Sequence, residues 1–326
     1  MKKLLIPVFF LSLLIISCSE KNDTSFFSSN NEKYLPDSSG NLNNISIVIS
    51  DELWEEEVGD MIRKNLSRPV YGLPQIEPVF DLSHIPTKIF SGFATKSRTI
   101  LKIDISQKEG VFTVENKFAV PQRIVQVSGA TPSNIISVFN QNLNSIYSSL
   151  FLNEIREKQR RISKSLNQTN RVLEKTGVSL KFPSAYRVAK TDSNFVWIRR
   201  SIKPTGTVNL FVCKYENNSD KTIFQIRDSI AKKYIPGPIE NTFMSTDFMY
   251  KPNTQEIIIN GKKVLETRGL WEVKEQFMAG PFLNYQIKTN STNNQQIMLD
   301  GFVYSPGTDK REYVFELEAI MRSLKY

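Results

Sequence analysis

An α+β fold in two lobes, with mainly antiparallel sheets covered by helices and joined by one long helix, is what the sequence predicts. Three observations carry this. Many short apolar segments follow one another along the 326 residues, separated by Gly, Pro, Asn and Ser. Asn260-Gly261 stands between two such runs, the strongest short-range hairpin signal because both turn residues tolerate positive φ. The stretch from Pro132 to about Asn167 holds no further Gly or Pro and repeats its apolar residues at helical spacing. Composition fits a core-forming chain: 40% of residues are hydrophobic, and 21 Phe with 11 Tyr supply bulk. A single histidine, His84, and two cysteines, Cys18 and Cys213, exclude a multi-histidine metal site, a zinc ribbon and a disulfide framework. Neither a metal nor any other cofactor is expected.

Residues 1–17 read as a secretory signal peptide. Met1-Lys2-Lys3 is positive, and the apolar run Leu4–Ile16 falls short of the roughly 20 residues that span hydrocarbon. Ile15-Ile16-Ser17-Cys18 resembles a bacterial lipobox, with Ile16 where a small residue is commoner. It predicts that Cys18 is acylated and becomes the first mature residue. Ser19 rather than Asp follows, so an outer-membrane lipoprotein is expected, periplasm-facing or surface-exposed. Glu20 and Asp23 bear some likeness to the acidic export signals of surface lipoproteins in Bacteroidota. Loss of Lys2 and Lys3 takes the formal charge from +9 to +7. A mixed, moderately basic surface suits anionic lipid or polyanionic glycan, and export argues against nucleic acid. Residues 18–39, rich in Ser and Asn, form a flexible tether. Cys213 lies in Val208–Cys213 and reads as a buried small hydrophobe.

The N-terminal lobe spans 40–175. Ile45–Ile49 reads as a buried strand, followed by a helix capped by Ser50 or Asp51 with Trp54, Val58, Met61 and Leu66 on one face. Four prolines in 67–97 predict a long irregular connection, with His84 in a loop. Strands follow at Thr99–Ile105, near Val111–Glu115 and at Arg123–Val127. Thr131-Pro132 opens the long helix, about 50 Å if unbroken. Its polar second half, Arg156–Arg161, reads as a solvated bridge between lobes.

The C-terminal lobe spans 176–326. Gly177 ends a short helical segment. Val178–Phe182, Phe195–Arg200, Thr207–Tyr215, Leu283–Thr289 and Gln296–Tyr304 read as strands, and Ile223–Tyr234 as a helix. The closing helix, Asp309 to Leu324, aligns Tyr313, Leu317, Ile320 and Leu324.

Several segments together resemble a lipoprotein family of Bacteroidota known as a domain of unknown function. They are Ser50-Asp51-Glu52-Leu53-Trp54 within Gly40–Leu66, Phe195-Val196-Trp197-Ile198-Arg199-Arg200 and Lys232–Pro238. Arg268-Gly269-Leu270-Trp271, Met278–Phe282 and Asp300–Pro306 complete the set. The resemblance covers about residues 40 to 326 and implies envelope lipoprotein status. It implies no activity.

Among chemical constellations, Glu52, Glu56 and Asp60 share one face of a continuous helix at i, i+4 spacing, where the helix dipole accounts for them without a metal. Ser229-Ile230-Ala231-Lys232 and Lys175-Thr176-Gly177 match serine-acylase motifs in reversed order and read as coincidence. His84 near Ser83 and Asp81 lacks the separation a catalytic triad needs. The candidate ligand-binding residues are Arg199, Arg200, Arg268, Trp197, Trp271 and Tyr234, beside the Gly237-Pro238 and Gly280-Pro281 turns. Guanidinium forks next to aromatic faces suit anionic or glycan ligands. No catalytic residue is assigned.

The reading is therefore a non-enzymatic envelope binding or accessory protein. Its partners are the membrane, through acyl chains, and an envelope protein, glycan or anionic lipid. The alternative is a carboxylate-dependent, glycan-directed envelope hydrolase using Glu266, Glu272 or Asp300.

Overall fold

The computed structural model describes residues 34–217, 221–289 and 294–326; Cys18, the residues expected as signal peptide and most of those expected as tether lie outside them. In the first lobe β1 (Asn44–Ile49) leads to α1 (Asp51–Glu55), α2 (Glu57–Leu66), β2 (Asp81–Pro86), β3 (Thr99–Ile105), β4 (Gly110–Glu115) and β5 (Arg123–Gly129). Then come α3 (Pro132–Gln141) and α4 (Leu143–Ser163). The sheet runs β2-β1-β3-β5-β4. Its β1–β2, β1–β3 and β3–β5 pairings are parallel, and only β4–β5 is antiparallel. A central parallel strand is covered on both faces, and the near-continuous apolar run of β1 meets that need. One face packs Ile45, Ile47 and Ile49 with α2, α3 and α4. The other face buries Val48, Ile100 and Ile124 beneath Ile85, Phe90 and Phe118.

Three elements of the first lobe differ from expectation. The helix after β1 breaks at Glu56, whose backbone is extended (φ −105°, ψ −166°), so Glu52, Glu56 and Asp60 do not share a face of one continuous helix. The close turn there needs Gly59, since a Cβ would fall 1.8 Å from the Trp54 carbonyl oxygen. The 67–97 connection contains β2, hidden by its prolines, so His84 is on a strand and not in a loop. Its ring stacks on Trp54 at 4.9 Å. The long helix divides at Asn142 (φ −111°, ψ 12°), whose side-chain amide donates to the Val138 carbonyl. Such local bonding competes with the helical ladder.

The second lobe contains α5 (Arg171–Thr176), β6 (Arg187–Asp192), β7 (Phe195–Ser201), β8 (Thr207–Glu216), α6 (Ile223–Tyr234) and β9 (Met244–Asp247). It continues with β10 (Asn253–Ile259), β11 (Lys262–Val273), β12 (Met278–Lys288), β13 (Gln295–Tyr304) and α7 (Arg311–Met321). Its sheet runs β10-β11-β12-β13-β8-β7-β6, with β9 also on β11, and every pairing is antiparallel. Across both sheets antiparallel pairing predominates, and the fold is α+β as expected. Asn260 and Gly261 turn the β10–β11 hairpin at φ 51° and 76°. Val178–Phe182, expected as a strand, makes only an isolated bridge, Ser179 to Lys325.

Strand alternation divides this sheet. Val208, Leu210 and Val212 of β8 face α7, with Leu283, Tyr285 and Leu299. Phe211 and Cys213 face α6, with Phe195, Trp271 and Phe302. On the α6 side a fully buried Arg227 donates to both Asp300 carboxylate oxygens at 2.7 and 3.2 Å, and Asn284 donates to the same carboxylate. Burial pushes the Cys213 thiol up to about 12, which leaves it an unreactive packing group.

The lobes share structure. Helix α4 puts Ile146 and Leu150 into the first core, and Ile155 and Ile162 into the second. From its middle the buried Glu154 carboxylate accepts from the Asn43 backbone N–H, from Arg98 Nε and Nη2 and from the Thr99 hydroxyl. From the proline-rich connection, Glu77 reaches the start of α7 and accepts from the backbone N–H groups of Lys310 and Arg311. Leu35–Tyr326 is accordingly one compact unit.

Candidate ligand-binding cleft

A cleft of about 860 Å³ opens where the α7 face of the second sheet meets α4 and the connection of the first lobe. Its floor is apolar, with Phe151 of α4 against Phe315 of α7, ring centroids 5.9 Å apart. Its wall is polar because β11 points Glu266 and Arg268 to this side, two residues apart on one face of the strand. Helix α7 adds Glu318 and, at i, i+4 spacing, Arg322, the residue that caps its C-terminal end. The connection supplies Arg68, held by a short loop in which Val79 donates to the Arg68 carbonyl and Val70 to that of Glu77.

These charges form one network. Arg268 grips Glu266 with two parallel hydrogen bonds at 3.0 and 3.1 Å, and its Nη2 also reaches Glu318 at 2.6 Å. Arg322 donates to the other Glu318 oxygen at 2.9 Å, and Gln255 donates to Glu266. Burial opposes ionisation of Glu266, but the Arg268 charge, the hydrogen bonds from Arg268 and Gln255 and the Arg322 charge together outweigh it, and the carboxyl titrates below its ordinary range. Burial likewise works against the charge of Arg268, and Glu318 and Glu266 more than offset it, so its pKa is raised. Tyr147, at the rim, has its hydroxyl raised by burial and then by Glu318.

The arginines are therefore not equivalent. Arg268 and Arg322 balance two carboxylates, and Arg311 is held by both oxygens of Asp81. Arg68 stacks its guanidinium over the Tyr147 ring at 4.7 Å and has no ion-pair partner among the described residues. It is exposed at the rim, a planar cation with free donors beside an aromatic ring. This arrangement can receive an anionic group on a ligand whose body lies against the apolar floor.

The six residues singled out from sequence do not converge on one site. Arg268 lies in the cleft. Arg200 shares its sheet face but is bound to Glu316 at 2.7 Å, between Tyr186 and Tyr313. Trp197 and Arg199 alternate to the α6 side, with Arg199 over the Trp197 ring at 5.6 Å. Trp271 is a core residue there, its indole N–H donating to the Val303 carbonyl. Tyr234 stacks on Phe195 at 4.0 Å and donates to Asp192. Gly280-Pro281 is no turn. It lies within β12, where a Cβ on Gly280 would meet the Val303 carbonyl oxygen at 2.0 Å.

The carboxylates of the hydrolytic alternative are separated as well. Glu266 and Asp300 occupy opposite sheet faces, each held by an arginine. Glu272 is six residues beyond Glu266 on β11, about 20 Å along the strand. Sequence reasoning missed Arg68, Tyr147, Glu318 and Arg322. Only the Glu318–Arg322 spacing carried a local signal.

Among the described residues no helix is long and apolar enough to cross a membrane. A search of the curated proteins found no match. Among solved structures, a mutant of the protein Mog1 is 10% identical, with 45% of this chain and 89% of that chain covered at a TM-score of 0.30. LpqN, described as involved in cell envelope biogenesis of Mycobacterium tuberculosis, is 11% identical, with 45% and 81% covered at a TM-score of 0.29. These likenesses are remote. Residues 38–163 match the model of one domain of unknown function (DUF8532), and residues 165–323 match that of another (DUF4837).

Proposed function

We propose that this protein is an outer-membrane lipoprotein of the bacterial envelope, anchored by acylated Cys18, that binds an anionic envelope component in the interlobe cleft. The observation that carries the binding role is Arg68, the one cleft arginine whose charge no described carboxylate balances. A buried or half-buried charge network is normally closed on itself. Here closure is complete at Glu266, Arg268, Glu318 and Arg322, and an aromatic-backed guanidinium is left over at the mouth. Bidentate recognition of a carboxylate or phosphate is the chemistry that geometry favours. The envelope location rests on the signal peptide and on Ser17-Cys18.

Two measurements test the reading. Metabolic labelling with a fatty acid should mark the wild type and leave Cys18→Ala blank; an unlabelled wild type removes the lipoprotein assignment. For the cleft, titration calorimetry with uronic-acid oligosaccharides and with glycerol phosphate should show binding that Arg68→Ala weakens at least tenfold. Arg199→Ala, on the opposite sheet face, should leave it unchanged. Binding by neither probe, or equal binding by Arg68→Ala, removes the anion-receptor role.

A further inference from the structure

The second face of the parallel sheet is roofed by two short 3₁₀ segments, Thr87–Ile89 and Gly92–Lys96, and by the loop 116–122. Inward, Phe90 and Phe118 meet edge to face at 6.0 Å. Outward, the same segments leave Ile89 62%, Phe93 76% and Val120 40% exposed. Lys88, Lys96 and Lys117 are interleaved with them, and none lies within ion-pair distance of a described carboxylate. The roof is one laced body: Gln122 donates from its side chain to the carbonyls of Thr95 and Ser97.

The chain also enters the folded unit here. Ser38 donates to the Val120 carbonyl, Val120 to that of Pro36, and Ser39 to that of Lys96. Asp37, the carboxylate on this entering strip, acts on Arg160 of α4. Sixteen residues separate Cys18 from Leu35. A chain of that length reaches about 60 Å at most. An anchor at Cys18 would therefore hold this face at high effective concentration next to the bilayer.

We propose that the Ile89–Phe93–Val120 face, with Lys88, Lys96 and Lys117, docks on an anionic lipid bilayer. This inference rests on the lipoprotein reading for its tether, and adds that the body lies on the membrane with its first sheet toward the headgroups. Apolar side chains enter the headgroup region while lysines meet lipid phosphates, each cation strengthening attachment about fivefold at low salt. Docking here leaves the cleft, which is built on the opposite face of that sheet and on the second lobe, open to its ligand.

The test uses the mature chain, residues 18–326, with Cys18→Ser, so that no acyl group contributes; Leu35–Tyr326 is a compact unit and the folded body is retained. Co-sedimentation with vesicles containing 30% phosphatidylglycerol should exceed that with pure phosphatidylcholine at least tenfold, and should fall as salt rises. Lys88→Glu/Lys96→Glu/Lys117→Glu and, separately, Ile89→Ser/Phe93→Ser should each lower it at least tenfold, with thermal melts within a few degrees of wild type. Equal sedimentation with both vesicles, or variants that bind like wild type, overturns the docking face. Because no acylation is involved, a failure of fatty-acid labelling at Cys18 leaves this result standing and identifies the tether as the faulty step. In the acylated chain, an environment-sensitive dye on Phe93→Cys should shift to the blue on the same vesicles, and one on Phe277→Cys should not. A dye at position 93 that stays in water also overturns the proposal, and points to a protein partner for the face.

Discussion

Glu154 shows how much a single side chain is asked to do. Its carboxylate is fully buried in α4, takes two donors from Arg98, one from the Thr99 hydroxyl and one from the Asn43 backbone, and so ties two segments of the first lobe to the helix. Arg98 is almost as buried and keeps only the carbonyls of Gly40 and Asn41 if the carboxylate is lost. Removing one partner of such a pair costs about 3–5 kcal/mol, mostly because the other charge stays buried without compensation. Glu154→Ala should therefore lower the stability measured by urea unfolding by that amount, at constant m-value. Glu115→Ala, which frees Arg123 from a solvent-facing carboxylate, should cost under about 1 kcal/mol. Equal losses from the two would show that burial does not set the scale.

Among the elements, α7 is the one whose position decides the cleft, and its start is held from another lobe. Local residues supply no side-chain cap; Glu77, more than two hundred residues away in sequence, accepts from two of its first free N–H groups instead. A carboxylate there also meets the positive end of the helix dipole. Glu77→Ala should cost about 1–2 kcal/mol. It should raise hydrogen-exchange rates at residues 311–314 more than at the C-terminal end of the helix. Uniform exchange along α7 would show that the cap does not hold it.

Such a cap is invisible to a sequence reading, and its invisibility explains which elements were legible. Helix α6, the β10–β11 hairpin, β7, β8 and β13 declare themselves through periodicity and turn chemistry carried by neighbouring residues. Strand β2 did not, because His84 and Pro86 dilute its pattern and its partner β1 lies across two helices and a loop. The break at Glu56 was hidden because its cause is the approach of Gly59 to the Trp54 carbonyl. The cleft failed for a related reason. Arg268 was found from its type, but alternation along β7 and β11 sends Trp197, Arg199 and Trp271 to the other side, and Arg68 arrives from the first lobe.

For the whole molecule, the question is whether two sheets with separate cores behave as one body. Helix α4 answers it physically, since four of its apolar side chains are divided between the two cores and Glu154 lies between them. Losing either core strips the helix of half its burial, and the Glu77–α7 contacts go with it. Unfolding should be a single transition. The tryptophans make this testable, because Trp54 reports the first lobe, and Trp197 and Trp271 report the second. Trp54→Phe and Trp197→Phe/Trp271→Phe variants should give the same urea midpoint, after correction for their own stability changes, as far-ultraviolet circular dichroism. Leu152→Pro places a break between the two halves of α4, where proline removes a ladder hydrogen bond and kinks the helix. The two fluorescence midpoints should then separate. Distinct midpoints already without Leu152→Pro would mean that the lobes fold independently, and a ligand in the cleft would then stabilise contacts between two bodies rather than one.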